Sequence, residues 1–219
     1  AVKMLILRGS PGFSGVKPVA ASLQRADMGG SLSTRELTDV ATVLRAARTA
    51  GDYGASQEKS PISHLFQALT PNRFLEDRIT NSILGEDEIA DSASPELASI
   101  RRHMRAAEAK VRDILQRLIS SNQSKYLQES IITIRSDRYV VPVKSEHKNA
   151  IPGLVHDVSS SGSTFFIEPM GVVKANNELR ELAAKEKKEI ERILAELSAD
   201  CAAHKEDILE DYQLIVWLD

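Results

Sequence analysis

Few residues in this chain have the types and spacing for chemistry. Gly9-Ser10-Pro11-Gly12-Phe13-Ser14-Gly15 has the glycine density of a phosphate-binding loop, but such a loop needs Gly-Lys-Ser/Thr at a fixed offset after a strand, and Gly15-Val16-Lys17 does not supply it. A structural turn is expected there. His156-Asp157 beside Ser159-Ser160-Ser161-Gly162-Ser163 has the residue types of a Ser-His-Asp hydrolase. Adjacent strand residues point to opposite faces, however, and the segment has no nucleophile elbow. The five histidines, His64, His103, His147, His156 and His204, lack metal-ligand spacing. Cys201 is the single cysteine, which excludes an internal disulfide framework and a Cys-cluster zinc site and fits a reducing, cytoplasmic setting. It falls on an apolar helical stripe and is expected to be a small buried residue. No catalytic residue, cofactor site or metal site is assigned.

Charge is the more informative signal. The 28 Lys+Arg against 31 Asp+Glu leave a net charge of −3, so no global positive field recruits nucleic acid or membrane, and any such contact must be local. Residues 94–125 carry seven cations, Arg101, Arg102, Arg105, Lys110, Arg112, Arg117 and Lys125, against three acids, Glu96, Glu108 and Asp113. The last twenty residues reverse this, with Lys205 against Asp200, Glu206, Asp207, Glu210, Asp211 and Asp219. Arg135, Arg138, Lys144 and Lys148 fall on predicted strands or their ends, near the hydroxyls and backbone N–H groups of Ser159–Ser163. Such groups suit phosphate oxygens, which carry no sequence code. These four are the candidate nucleic-acid-binding residues, with a plain solvent-facing sheet as the alternative.

The elements that must position them follow from hydrophobic period. Aromatics make up only 5% of the chain against 42% hydrophobic residues, which favours aliphatic helix packing over a sandwich or barrel. A helix is expected from about Val16 to Gly29-Gly30, and Ser33-Thr34-Arg35-Glu36 forms a capping box before a second helix ending near Gly51. Shorter helices are expected over Pro61–Leu69 and Pro71–Asn81, completing a helical subdomain over residues 1–90. Ser94-Pro95-Glu96 starts a long helix to about Ser124, with Leu97, Ile100, Met104, Ala107, Val111, Ile114 and Leu118 spaced as a coiled-coil seam. Its partner runs from Val172 through Leu179, Leu182, Glu186, Ile190, Ile193, Leu197, Cys201, His204, Ile208, Tyr212 and Ile215, more than forty residues without Pro or Gly. Two long antiparallel helices, 91–125 and 170–219, are expected.

Between them the period drops to 2, giving four strands: Ile131–Arg135, Tyr139–Lys144, Leu154–Val158 and Thr164–Glu168. Ser136-Asp137 makes a tight hairpin, Ser159–Ser163 closes another, and Pro142 marks an edge or a bulge. The expected class is mainly α with a small antiparallel β-sheet: a helical core, a long two-helix arm and a four-stranded sheet over 126–169 at its tip. No stretch is long and apolar enough for a signal peptide or membrane span. An opening without Met and an ending without a stop signal are expected of a piece of a longer protein.

Ser136-Asp137-Arg138-Tyr139-Val140-Val141-Pro142-Val143-Lys144, followed by Ile151–Gly162 and Phe166-Ile167-Glu168-Pro169, closely resembles the second MutS subfamily of bacteria, MutS-two. The resemblance extends to Asn176–Leu182 and Asp91–Leu97, and weakly to Arg8-Gly9-Ser10 and Gly29-Gly30. It implies a core, a lever of two long helices and a clamp that touches nucleic-acid backbone, duplex or branched. In such proteins a MutS-type ATPase that uses ATP and Mg follows the lever, and an Smr nuclease domain comes later. The resemblance further implies a homodimer that suppresses recombination or repairs DNA and, in some lineages, rescues stalled ribosomes. This chain is expected to hold none of those catalytic parts, so its implied role is engagement of DNA or ribosome and mechanical coupling. The resemblance assigns no clamp contact by residue; Arg135, Arg138, Lys144 and Lys148 rest on charge and placement.

Overall fold

Apolar residues at helical spacing dominate the chain, and the computed structural model, which describes residues 12–55 and 61–219, is accordingly mainly α-helical with a small antiparallel sheet. The Ala1–Arg8 opening, Arg8-Gly9-Ser10 and the first part of the Gly9–Gly15 loop lie outside the described residues. The described residues divide into two compact units, one of residues up to Pro95 together with Glu189–Asp219, the other of Glu96–Lys188.

The first unit begins with α1 (Ala20–Asp27), four residues later than the periodicity predicts. Pro18 disfavours a helical Lys17 and delays the start. The capping box before α2 (Thr34–Ala55) forms as expected. Ser33 N donates to Glu36 Oε2 at 2.9 Å, and Glu36 N donates to Ser33 Oγ at 3.3 Å. The Arg25 guanidinium on the same carboxylate helps hold the Glu36 carboxyl down to about 2.

Helix α2 does not stop at Gly51. It continues to Ala55 because Gly54 faces Phe66, which stands 2.3 Å from where a Cβ would sit, so the glycine serves packing and not termination. Leu37, Val40, Ala41, Leu44 and Ala47 bury the stripe of α2. Helices α3 (Ser63–Gln67) and α4 (Arg73–Ser82) begin just beyond Pro61 and Pro71, and Asn72 caps α4 by accepting from Leu75 N. The periodicity predicts no strand before residue 91, but β1 (Ile83–Gly85) and β2 (Glu88–Ile89) form a hairpin turning at Asp87, whose φ is +58°.

The expected forty-residue helix is two. Helix α6 (Val173–Ala203) ends at His204, whose φ of −112° and ψ of 19° leave the helical well, and α7 (Lys205–Leu218) follows. Lys205 Nζ docks on Asp27 Oδ2 at 2.6 Å, and Glu206 and Asp207 lie in the first turn of α7, where the helix dipole favours acids. Tertiary docking overrides local propensity here, and His204 is exposed instead of lying on the seam. Beyond the break the buried positions are Ile208, Asp211 and Ile215, so Asp211 takes the place expected for Tyr212.

In the second unit α5 (Pro95–Ile119) runs antiparallel to the first half of α6, as Arg101 Nε donating to Glu186 Oε1 at 2.6 Å shows. The helix ends five residues early, at a turn where Ser121 Oγ accepts from Gln123 N. Its face is broader than a coiled-coil seam. Leu97, Ile100, Ala107, Val111 and Leu115 are buried, while Met104, Ile114 and Leu118 are only partly so. Val111 and Leu115 belong to one core with Leu127, Val141, Val143 and Ile167 of the sheet region and Val172 and Ala175 around the start of α6. A helix covering a sheet and a helix together needs a wider stripe than one facing a single partner.

The sheet has the order β3 (Thr133–Arg135), β4 (Arg138–Lys144), β6 (Thr164–Pro169), β5 (Gly153–Val158), all antiparallel. Ser136 and Asp137 turn the first hairpin with φ of +50° and +60°, the pair of left-handed conformations of a type I′ turn. Strand β4 is internal to the sheet, yet Pro142 costs no ladder bond. The β3 partners reach only residues 138–140, and at Pro142 that side of β4 meets Gln128, whose N–H donates to the Pro142 carbonyl at 2.9 Å. The register between β5 and β6 slips by one residue between Val155 and Asp157, leaving His156 as a bulge.

Candidate functional site

The four candidate cations are on or beside one sheet, at two different ends of it. At the hairpin end Arg138 is largely buried, with 13% of its side chain exposed. One nitrogen donates to Glu168 Oε1 at 2.8 Å and another to Asn177 Oδ1 at 2.6 Å. Glu168 is wholly buried and also meets His156 Nε2 at 2.5 Å and the Asn176 amide at 2.8 Å. Burial pushes the Glu168 carboxyl up, but the donors from Asn176, His156 and Arg138 prevail and hold it below the usual range. Asn176 also donates to the Tyr139 carbonyl, and the Tyr139 hydroxyl donates to Glu108 at 2.5 Å, which ties strand β4 to α6 and α5.

Arg135 is next to this network. Its guanidinium carbon lies 4.1 Å from the Phe166 ring centroid, and its Nε is 3.3 Å from Asp157 Oδ2. Both arginines therefore hold the sheet together, and two of the three Arg138 guanidinium nitrogens are already bonded, to Glu168 and Asn177.

The opposite end is different. Lys144 Nζ meets no carboxylate in its hydrogen bond, donating instead to the Lys125 carbonyl at 3.2 Å. Lys148 is exposed, with its Nζ 5.6 Å from the Phe165 ring centroid. Ser145 N donates to the Ser163 carbonyl, which brings the serine loop beside the Ser145–His147 turn. Three of the loop hydroxyls bond to each other or to the backbone: Ser161 and Ser163 Oγ lie 2.7 Å apart, and Ser159 Oγ accepts from Thr164 N. Lys125, named for its charge, joins this end together with Tyr126, for which the sequence argument had no role. The available signal was two dipeptides, Lys125-Tyr126 and His147-Lys148, each pairing a cation with a ring.

Much of the positive surplus on α5 is neutralised: Arg101 pairs with Glu186, Arg112 with Glu108 and Arg117 with Asp113. His156 faces Glu168 and not the serine loop, so no hydrolase arrangement forms there. Cys201 is buried, and burial, with Asp200 nearby, pushes its thiol up to about 12. Among the described residues no group of three His, Cys, Asp or Glu side chains could hold a metal ion, and no helix is long and apolar enough to cross a membrane.

The residues that build this sheet, Arg138 to Lys144 and Gly153 to Pro169, are those on which the family resemblance rests, and whole-chain comparison agrees with it. The chain is 50% identical over 206 residues to Endonuclease MutS2 of Ruminiclostridium cellulolyticum, covering 92% of this chain and 26% of that protein. In sequence, the chain is MutS2-like. It is 45% identical over 225 residues to Endonuclease MutS2 of Acetivibrio thermocellus and 43% identical over 223 residues to that of Clostridium beijerinckii, in each case covering 100% of this chain and 28% of the relative. No family model matches the chain. This MutS2-like chain thus spans about a quarter of the length of the curated relatives it matches.

Proposed function

We propose that the chain is a non-catalytic core, lever and clamp segment of a MutS2-like protein that engages DNA backbone and couples that contact to an ATPase elsewhere in the protein. Residues 1–90 would serve as the core, 91–125 and 170–219 as the lever, and 126–169 as the clamp. The observation that carries this reading is the lysine end of the sheet, where Lys144, at the end of β4, and Lys148, just past the Ser145–His147 turn, show no acidic partner among the described residues in any hydrogen bond or ion pair. Arg135 and Arg138, the other two candidates, would support the surface from within. The relatives' name, endonuclease, supports nucleic acid as the ligand class. In the whole protein, ATP and Mg would belong to the ATPase, and a homodimer would bring two such segments to one DNA in recombination suppression or repair.

The test is binding of duplex and branched DNA over a range of salt. Removing both Lys144 and Lys148 is expected to lower affinity for unrelated sequences alike and to flatten the salt slope by roughly 0.9 per lost phosphate contact. An unchanged slope would refute the assignment.

A second reading, a protein-docking arm such as one used in ribosome rescue, draws on the edge strand β5. Leu154, Val155 and Val158 there are 47%, 50% and 42% exposed. That reading requires a complex that survives high salt and is lost when those side chains are made polar.

A further inference from the structure

Tyr126 packs partly against the core, and backbone contact alone does not use the exposed part of the rings at the lysine end. Tyr126 and His147 stand with ring centroids 5.1 Å apart, tilted by 54°. Lys125 Nζ is 5.0 Å from the Tyr126 centroid. Both rings are partly exposed, whereas the neighbouring Leu127 and Val143, joined by a bridge, are buried. The aliphatic residues therefore fill the core, and Tyr126, packed partly against it, and His147 lie at its margin with part of each side chain exposed.

We propose that this end of the sheet is a stacking site for an unpaired nucleobase, with the flanking phosphates taken by Lys125, Lys144 and Lys148. The inference rests on the nucleic-acid reading above and narrows it, from duplex backbone to DNA with a gap, flap or opened junction. A base inside a closed duplex is already stacked on both faces and cannot reach the rings. An unpaired base can, and every base has a π-face, so the site would be blind to sequence. Lys125 is poised for the exchange. Its ammonium lies over the Tyr126 ring, and a base would displace it toward the adjoining phosphate. Glu146 is the carboxylate within Lys144–Lys148 and would weaken the phosphate contacts that these lysines make.

The experiment compares a closed duplex with the same duplex bearing a short single-stranded gap that carries a fluorescent purine analogue. The full chain is expected to prefer the gapped DNA by about five- to 150-fold, the range of one stacked base, and to quench the analogue. Tyr126→Leu, which keeps an apolar side chain against the core, and His147→Ala, on a turn outside it, should each reduce that preference while leaving duplex affinity and salt slope as they were. Should Tyr126→Leu lower the melting temperature, His147→Ala decides. Equal binding of gapped and closed DNA by the unaltered chain would overturn the stacking site and leave the backbone reading standing, as would variants that keep the preference. Failure to bind either DNA would overturn both.

Discussion

At the hairpin end of the four-stranded sheet Arg138 is bound by a buried glutamate and an asparagine, and Arg135 lies across Phe166 toward Asp157; at the other end Lys144 and Lys148 meet a carbonyl and a ring. By charge the two pairs are equivalent in sequence. They differ because guanidinium has a rigid, forked set of donors that matches a carboxylate and an amide together, and it is more weakly hydrated than ammonium, so it is the cation that can be taken into a core. Ammonium on a flexible stem keeps its water. The same sheet thus separates charge that meets a carboxylate from charge that meets a carbonyl or a ring, and Arg versus Lys is the local marker of which is which.

The most disruptive way to break this comparison is Glu168→Ala. It leaves the Arg138 guanidinium and the Asn176 amide without their shared acceptor in a site where Glu168 itself is 0% exposed, a situation expected to cost about 3–5 kcal/mol in denaturant unfolding. A loss near zero would show that the hairpin end does not depend on the network.

Next in size is the contrast between double variants. Lys144→Ala with Lys148→Ala should leave melting almost unchanged and lower the salt slope of duplex binding by about 1.8, whereas Arg135→Ala with Arg138→Ala should lower melting and change the slope of the remaining folded protein little. Equal slopes in a salt titration would erase the distinction between the ends.

Acid should expose the same asymmetry. Glu168 is held below its ordinary value in the folded chain, so its contribution to stability is complete above about pH 4.5 and is lost as pH falls through the lower folded value. Glu168→Gln should therefore flatten the acid limb of a stability-against-pH curve, and a limb of unchanged steepness would assign acid sensitivity elsewhere, for instance to Glu36, whose carboxyl is also held down to about 2.

The smallest effect is expected from Asp137→Gly. Glycine accepts the φ of +60° without the Cβ penalty of roughly 1–2 kcal/mol, part of which its greater chain entropy offsets, so the hairpin should gain about 1 kcal/mol or less in thermal unfolding with DNA affinity unaltered. A change in affinity would mean that the hairpin, and not the lysine end, touches the ligand.

Much of this was legible in the residues. The period-2 runs and the Ser136-Asp137 turn located all four strands because register and turn chemistry are local. The break at His204 was not, since no Pro or Gly marks it and its cause is the docking of Lys205 on Asp27, some 180 residues away in sequence. Leu115 was missed on α5 for a similar reason: a seam drawn for one partner helix has no position for a residue that packs under a sheet. Of the site, charge found the four cations but could not separate them. Glu168, which decides the fate of Arg138, is thirty residues distant and reads in sequence as an ordinary polar strand position.

Strand β4 changes partners partway along. Residues 138–140 pair with β3, residues 141–144 with β6, and Pro142 lies just beyond the switch. The sheet is therefore two offset ladders that share one strand, and opening the β3 hairpin breaks no bond of the β4–β6 ladder. Amide hydrogen exchange should reflect this as two cooperative units, with the β3 hairpin exchanging through a shallow local opening while Val141 and Val143 stay protected to the level of global unfolding. One end of the sheet could then yield under load while the other kept its shape.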